Sequence, residues 1–154
     1  MTYIDTLNWI HSHKANGRRP SLERMCHLLN LLDNPQNKFP AVHVVGTNGK
    51  GSTTSFLQHI LTASGYKTGT FTSPFITRFN ERIAIDSKEI SDSDLVKTAQ
   101  AIKPIVDSND FQEKVGKVTE FELVIALMFY YFATINPVDV AVIEAGIGGT
   151  FEIG

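Results

Sequence analysis

The stretch from Val42 to Thr53, reading VHVVGTNGKGST, constrains the chain more than any other. Val42 to Val45 make a short apolar-rich run of the kind a buried parallel strand uses. The run breaks at Gly46, and Gly46, Gly49 and Gly51 surround Lys50. Ser52, Thr53 and Thr54 then open a helical pattern in which Phe56, Leu57, Ile60 and Leu61 share a face. A strand, a glycine-rich turn and a helix N-terminus together form an anion cradle. Glycine lets backbone N–H groups come close to phosphate oxygens, and the helix end adds unpaired donors and the positive end of its dipole. Lys50 is placed to neutralise β/γ-phosphate charge, and the Ser52 or Thr53 hydroxyl to face a metal. The loop departs from GxxxxGK[ST], which wants glycine at Val44 and a hydroxyl residue at Gly51.

The rest of the composition narrows the class. The chain has 154 residues, 42% of them hydrophobic and 19% charged, a balance that can bury one core. A net charge of −2 gives no electrostatic case for a nucleic-acid or anionic-membrane partner. The single cysteine, Cys26, excludes an internal disulfide and a cysteine metal cluster, and a reducing cytoplasm suits it. Cys26 reads as a small buried hydrophobe. The N-terminal MTYIDTLNWIHSHK lacks the apolar core of a signal peptide. The longest apolar run, Leu123 to Ala133, has 11 residues against the roughly 20 a bilayer span needs.

Taken in order, Tyr3 to Lys14 reads as a helix stopped at Asn16-Gly17. Ser21 caps a second helix through Leu22, Met25, Leu28, Leu29 and Leu32. His11, His13 and His27 are scattered without a ligand pattern and read as solvated or core-edge residues. Lys67 to Thr72 is a second strand candidate. The following TSPFITRFNERIAID, Thr72 to Asp86, mixes aromatic, hydroxyl and arginine residues without a clean period. Two readings of it stand: an ordered functional loop, or a loop packed by Phe75, Ile76 and Phe79 with Arg78 and Arg82 in water. Glu81 to Ile90 is expected to hold a small hairpin turning at Asp86-Ser87. Ser91 caps a helix carrying Leu95, Ala99, Ile102 and Ile105, and Asn109 to Val118 reads as irregular. Thr119-Glu120-Phe121-Glu122 makes a T-x-x-E capping box before an apolar, buried helix. Val138 to Ala145 is a third buried strand. Strand, helix, strand, an excursion, then strand indicates a doubly wound, mostly parallel α/β sheet with a phosphate loop.

Several stretches together resemble the folylpolyglutamate synthase/dihydrofolate synthase family, the folate branch of the Mur-ligase-like ATP-dependent amide ligases. They are LERM at Leu22 to Met25, NPQ at Asn34 to Gln36, HVVGTNGKGST at His43 to Thr53, TSPFITRFNERI at Thr72 to Ile83, TEFE at Thr119 to Glu122, and DVAVIEAGIGG at Asp139 to Gly149. They run in family order from Tyr3 to Thr150. Gly51-Ser52 after the lysine is similar to the folate enzymes, whereas peptidoglycan ligases usually carry two threonines there.

The resemblance implies a reaction in which ATP phosphorylates a folate or pteroate carboxylate and the amine of L-glutamate attacks the acyl phosphate. The protein is asked to position substrates and stabilise charge. By the same resemblance, Thr47, Asn48, Gly49, Lys50, Gly51 and Ser52 cradle the ATP phosphates, with Lys50 as the catalytic charge clamp. Ser73 and Glu144 resemble the family's magnesium ligands. A carboxylate ending an apolar strand at the phosphate edge agrees with that reading, since Mg²⁺ seeks oxygen. Thr119, Phe121 and Glu122 resemble the pterin-contacting segment, although Thr119 and Glu122 are equally explained as a capping box and Phe121 as core. Phe75 to Arg82 resembles the family's mobile loop beside folate and metal.

The resemblance implies a Mur-ligase-like central ATPase domain, of which residues 1–154 are expected to be the N-terminal part, with the C-terminal glutamate-ligase domain absent. Glu152 stands where the family carries Asp. The family's histidine metal ligand, modified lysine and adenine-contacting residues are expected beyond Gly154. The implied partners are ATP, Mg²⁺, L-glutamate and folate or dihydropteroate, in a cytoplasmic protein that is a monomer at full length. A non-catalytic nucleotide-binding remnant and a peptidoglycan Mur ligase are the alternatives. The 154 residues alone are expected to be marginally stable, with Val140, Val142 and the Leu123 to Phe132 helix partly exposed.

Overall fold

The computed structural model describes residues 1–14, 18–46, 49–73 and 77–144, the side chain of Lys50 excepted. Two helices come first. α1, Tyr3–His11, starts in a capping box between Thr2 and Asp5, and α2, Leu22–Leu31, is capped by the Ser21 hydroxyl accepting from Arg24 N–H. Asp33 and Asn34, both at positive φ, turn the chain into a 3₁₀ turn at Pro35–Asn37 and on to strand β1, Ala41–Val44. Helix α3, Lys50–Ala63, and strand β2, Thr68–Phe71, follow. β3, Ile83–Ile85, and β4, Lys88–Glu89, form the expected hairpin, with Asp86 and Ser87 at positive φ in its turn. Then come α4, Asp92–Val106, α5, Asn109–Val115, α6, Glu120–Tyr130, and β5, Val140–Glu144.

The strands lie in one sheet in the order β1-β5-β2-β3-β4. β1, β5 and β2 are parallel, and the hairpin extends the sheet antiparallel from β2. The register sets which side chains share a face. Gly69 pairs with Ala141 and Phe71 with Ile143, whereas Thr70 pairs with Val142. Ala141, Ile143 and Phe71 join the apolar core built by α1, α2, α4 and α6. Thr68, Thr70, Val140, Val142 and Glu144 lie on the opposite face, where α3 packs across β5, β2 and β1.

α6 fills the core. Leu123, Val124, Ala126, Leu127, Met128 and Phe129 are all buried, each large apolar side chain contributing about 1.5–3 kcal/mol relative to exposure. Its end widens into a π turn at Tyr131–Ile135, closed by Asn136 N–H donating to the Tyr131 carbonyl at 2.9 Å. That turn presses the Phe132 ring onto the backbone of Gly69, where an added Cβ would lie 2.8 Å from Cζ. Only glycine fits there.

Several expectations need correction. The apolar Val42 to Val45 run suggests a buried strand, yet β1 is the sheet's edge and Ala41, Val42 and His43 are exposed, leaving Val44 alone inward. Phe56 and Ile60 of α3 are exposed, Phe56 to 68%, because the face turned to the sheet carries Thr54 and Gln58. Val140 and Val142 are buried rather than partly exposed, since β5 is flanked by β1 and β2 and covered by α3, and most of the Leu123 to Phe132 stretch is buried in the core, with Ile125 and Tyr130 half-buried. Asn109 to Val115 is a helix, capped by the Ser108 hydroxyl and anchored by Phe111. Cys26 is exposed: it follows inward-facing Met25 by one residue, a rotation of about 100° around α2. His13 is buried, with Nδ1–H donating to the Trp9 carbonyl at 2.7 Å. Phe75, Ile76 and Glu152 lie outside the described residues.

Candidate functional site

The C-terminal ends of β5 and β2 meet the N-terminus of α3, the edge where parallel α/β sheets place ligands. A cleft of about 520 Å³ opens there, bounded by Gly49, Gly51 and Thr54 of the loop and helix, Thr70, Thr72 and Ser73 of the β2 exit, and Glu144. Gly49 is the N-cap of α3 at φ 76°, a left-handed conformation that glycine adopts without strain. Its carbonyl accepts the first helical hydrogen bond, from Thr53 N–H at 3.0 Å. Lys50 opens the helix, and the first turn exposes Gly51, Ser52 and Thr53. Thr47, Asn48 and the Lys50 side chain lie outside the described residues.

Glu144 ends β5 on the α3 face and is 6% exposed. Its Oε1 accepts a long hydrogen bond, 3.4 Å, from the Ser73 backbone N–H. The structure thus brings Ser73 and Glu144 together beside the glycine loop. A buried carboxylate whose contact among the described residues is this long favours a cation. Among the described residues no group of three or more His, Cys, Asp or Glu forms a metal cluster. One carboxylate and one hydroxyl suit Mg²⁺, which keeps several waters and shares substrate phosphates.

Arg82, expected either in a functional loop or in water, is half-buried. Its guanidinium stacks 5.0 Å from the Phe71 ring and 6.0 Å from Phe79, and its Nε donates to the Thr72 carbonyl at 3.2 Å. Burial pulls its pKa below the usual arginine value, opposed by the charge of Glu120. It therefore clamps the strand exit that carries Ser73 and faces the start of α6. Arg78 is exposed but bonded, reaching Glu89 at 3.2 Å, Asp92 at 2.6 Å and the Tyr3 hydroxyl at 3.4 Å. These bonds tie the segment after the cleft to α1 and α4.

The T-x-x-E segment forms the capping box that its spacing predicts. The Thr119 hydroxyl accepts from Glu122 N–H at 3.2 Å, and Glu122 Oε1 accepts from Thr119 N–H at 2.7 Å. Glu122 is 0% exposed, and it also accepts from Arg24 Nε at 2.9 Å and from Ser21 N–H at 2.8 Å. Thr119 and Glu122 are thus enclosed and bonded within the protein. Phe121, read as a pterin contact or as core, presents 36% of its surface to solvent.

The hydroxyls that open α3 differ in burial. Ser52 and Thr53 are exposed, while Thr54 faces the sheet and is buried. Beyond it, Gln58 accepts from the Ser87 hydroxyl at 2.8 Å, and Thr62 donates to Asp86 at 2.8 Å, joining α3 to the hairpin turn. Nothing local in the sequence gives this bridge, because its halves lie 29 and 24 residues apart.

No family model matches the chain. Individual relatives do. It is 44% identical over 150 residues to a dihydrofolate synthase/folylpolyglutamate synthase of Bacillus subtilis (strain 168), covering 97% of this chain and 35% of that protein. A folylpolyglutamate synthase of Lacticaseibacillus casei is 44% identical over 149 residues, with the same coverage. Among solved structures, the apo form of L. casei FPGS superposes with a TM-score of 0.88 at 44% identity, over 96% of this chain and 36% of that one. An FPGS–AMPPCP–folate complex gives 0.88 at 44% identity, over 97% and 36%. The chain spans about a third of the length of the curated relatives it matches. At 44% identity over 97% of its length, with the same fold, the chain belongs to the folylpolyglutamate synthase/dihydrofolate synthase family.

Proposed function

We propose that this chain supplies the nucleotide- and magnesium-binding part of an ATP-dependent ligase that adds L-glutamate to tetrahydrofolate or dihydropteroate through an acyl phosphate. The observation that carries the reading is the pairing of Ser73 with buried Glu144 beneath the Gly49 end of α3. Thr47 to Ser52 cradle the ATP phosphates, their N–H groups and the helix dipole stabilising negative charge. Lys50 holds the charge that develops as the γ-phosphoryl group leaves. Ser73 and Glu144 hold Mg²⁺, which when bound neutralises phosphate charge. The chain's residues then act by orientation, fixing the phosphates against the substrate carboxylate.

The folate contact in this reading falls to Phe121. Thr119 and Glu122 act behind it, fixing the first turn of α6 so that the ring faces outward. The complex of a relative with AMPPCP and folate supports this substrate pair. A cytoplasmic, monomeric full-length enzyme fits the single cysteine and the small net charge.

The test is twofold. Binding of a fluorescent ATP analogue to the 154-residue chain is titrated with and without Mg²⁺, and incorporation of labelled glutamate into tetrahydrofolate is assayed. We expect magnesium-dependent binding without incorporation by these 154 residues alone. Absence of nucleotide binding would overturn the reading.

A further inference from the structure

The Thr54 hydroxyl is the observation that the phosphate-loop reading leaves unused. Thr54 is 2% exposed, and its Oγ1 has no hydrogen-bond partner among the described residues. It sits in the second turn of α3 on the face turned to the sheet, in the wall of the cleft with Gly49, Gly51, Ser73 and Glu144. A buried hydroxyl without a partner destabilises the protein that carries it. Ser and Thr side chains in helices ordinarily bond the carbonyl one turn back, and this one does not. A valine would pack the same volume without that penalty.

The position narrows what the hydroxyl can meet. The backbone donors of the loop lie at the mouth of α3, and Thr54 lies deeper, between that mouth and the floor made by Thr70 and Glu144. A phosphate oxygen reaching down from the loop, or a water on a cation held by Glu144, would come to rest against it. Both are oxygen ligands of the same cluster. Mg²⁺ retains several waters when only one or two protein groups hold it.

We propose that Thr54 is a further nucleotide-binding residue, its hydroxyl hydrogen-bonding an oxygen of the magnesium–phosphate cluster. This rests on the proposed nucleotide site and adds to it a side chain below the loop. Thr54→Val removes the bond and the orphan together, so binding weakens while the ligand-free protein keeps or gains stability. Thr54→Ser retains the hydroxyl and restores binding.

The experiment is calorimetric titration of wild type, Thr54→Val and Thr54→Ser with Mg-ATP, and with ATP in EDTA, alongside melts of the ligand-free proteins. We expect the valine variant to bind Mg-ATP about tenfold more weakly and to melt no lower than wild type, with the serine variant within about threefold. Equal affinity of valine variant and wild type would overturn the proposal, as would equal weakening in both variants or a lower melt for the valine variant. Failure of the wild type to bind would instead overturn the nucleotide site itself.

Discussion

Arg24 Nε donates to Glu122 Oε1 across 2.9 Å, joining the first turn of α2 to the first turn of α6. The pair is enclosed, with side-chain exposures of 11% and 0%. Arg24 also donates to the carbonyls of Val115 at 3.2 Å and Arg19 at 2.9 Å, so one guanidinium fastens three segments. The glutamate that resembles a substrate contact is thereby the anchor of the domain's N-terminal helices.

Removing one partner leaves a buried carboxylate with only backbone donors. Arg24→Met is expected to destabilise the protein by about 3–5 kcal/mol in urea unfolding, against about 0–1 for an exposed pair. A loss under about 1 kcal/mol would return the pair to the surface class.

Gly69 is expected to tolerate no side chain. Gly69→Ala places a Cβ against the fully buried Phe132 ring and should cost about 1–3 kcal/mol by overpacking. Phe132→Leu opens room, so the double variant is expected to lose less than the sum of the single losses. Strict additivity, measured by urea unfolding of all three, would contradict the packing account.

His13 gives the fold a pH dependence. Burial lowers its pKa below the ordinary 6.5, with the Trp9 carbonyl opposing, Lys117 and Arg18 adding to the lowering, and Asp107 opposing it. The folded protein therefore binds the proton less readily than the unfolded chain. Its contribution is fully present above pH 6.5 and is lost as the pH falls from there through the folded-state value. Thermal melts between pH 8 and 5 are expected to fall more steeply for wild type than for His13→Gln. Parallel curves would remove His13 from the acid response.

Much of this was legible because local chemistry fixed it. The caps at Ser21, Ser91 and Thr119, the Asp86-Ser87 hairpin and the all-apolar α6 each follow from neighbouring residues, and the structure has them. The glycine loop follows from its spacing and Glu144 from its strand end, whereas Ser73 is named only through the family resemblance; the structure lines one cleft with Gly49, Gly51, Ser73 and Glu144. Burial was harder to read. Val42 looks like a core strand residue, but exposure depends on β1 lying at the sheet's edge, which no local pattern encodes. Thr54 and Gln58 look polar and outward, yet they face the sheet because the loop fixes where α3 begins and hence its rotation. Arg82 is drawn inward by Phe71 and Phe79, of which Phe71 is eleven residues away in sequence.

In the proposed function, Glu144 and the Gly49 end of α3 form one magnesium–nucleotide site. The direct measurement is the thermal melt of the chain and of Glu144→Gln with Mg-ATP and with ATP in EDTA. At a hundredfold excess over Kd, binding adds about 2.7 kcal/mol, or a rise of about 5–10 °C for a chain of this size. We expect that rise for wild type with Mg-ATP, little with EDTA, and little for Glu144→Gln under either condition. An equal rise in Glu144→Gln, or none in wild type, would contradict it.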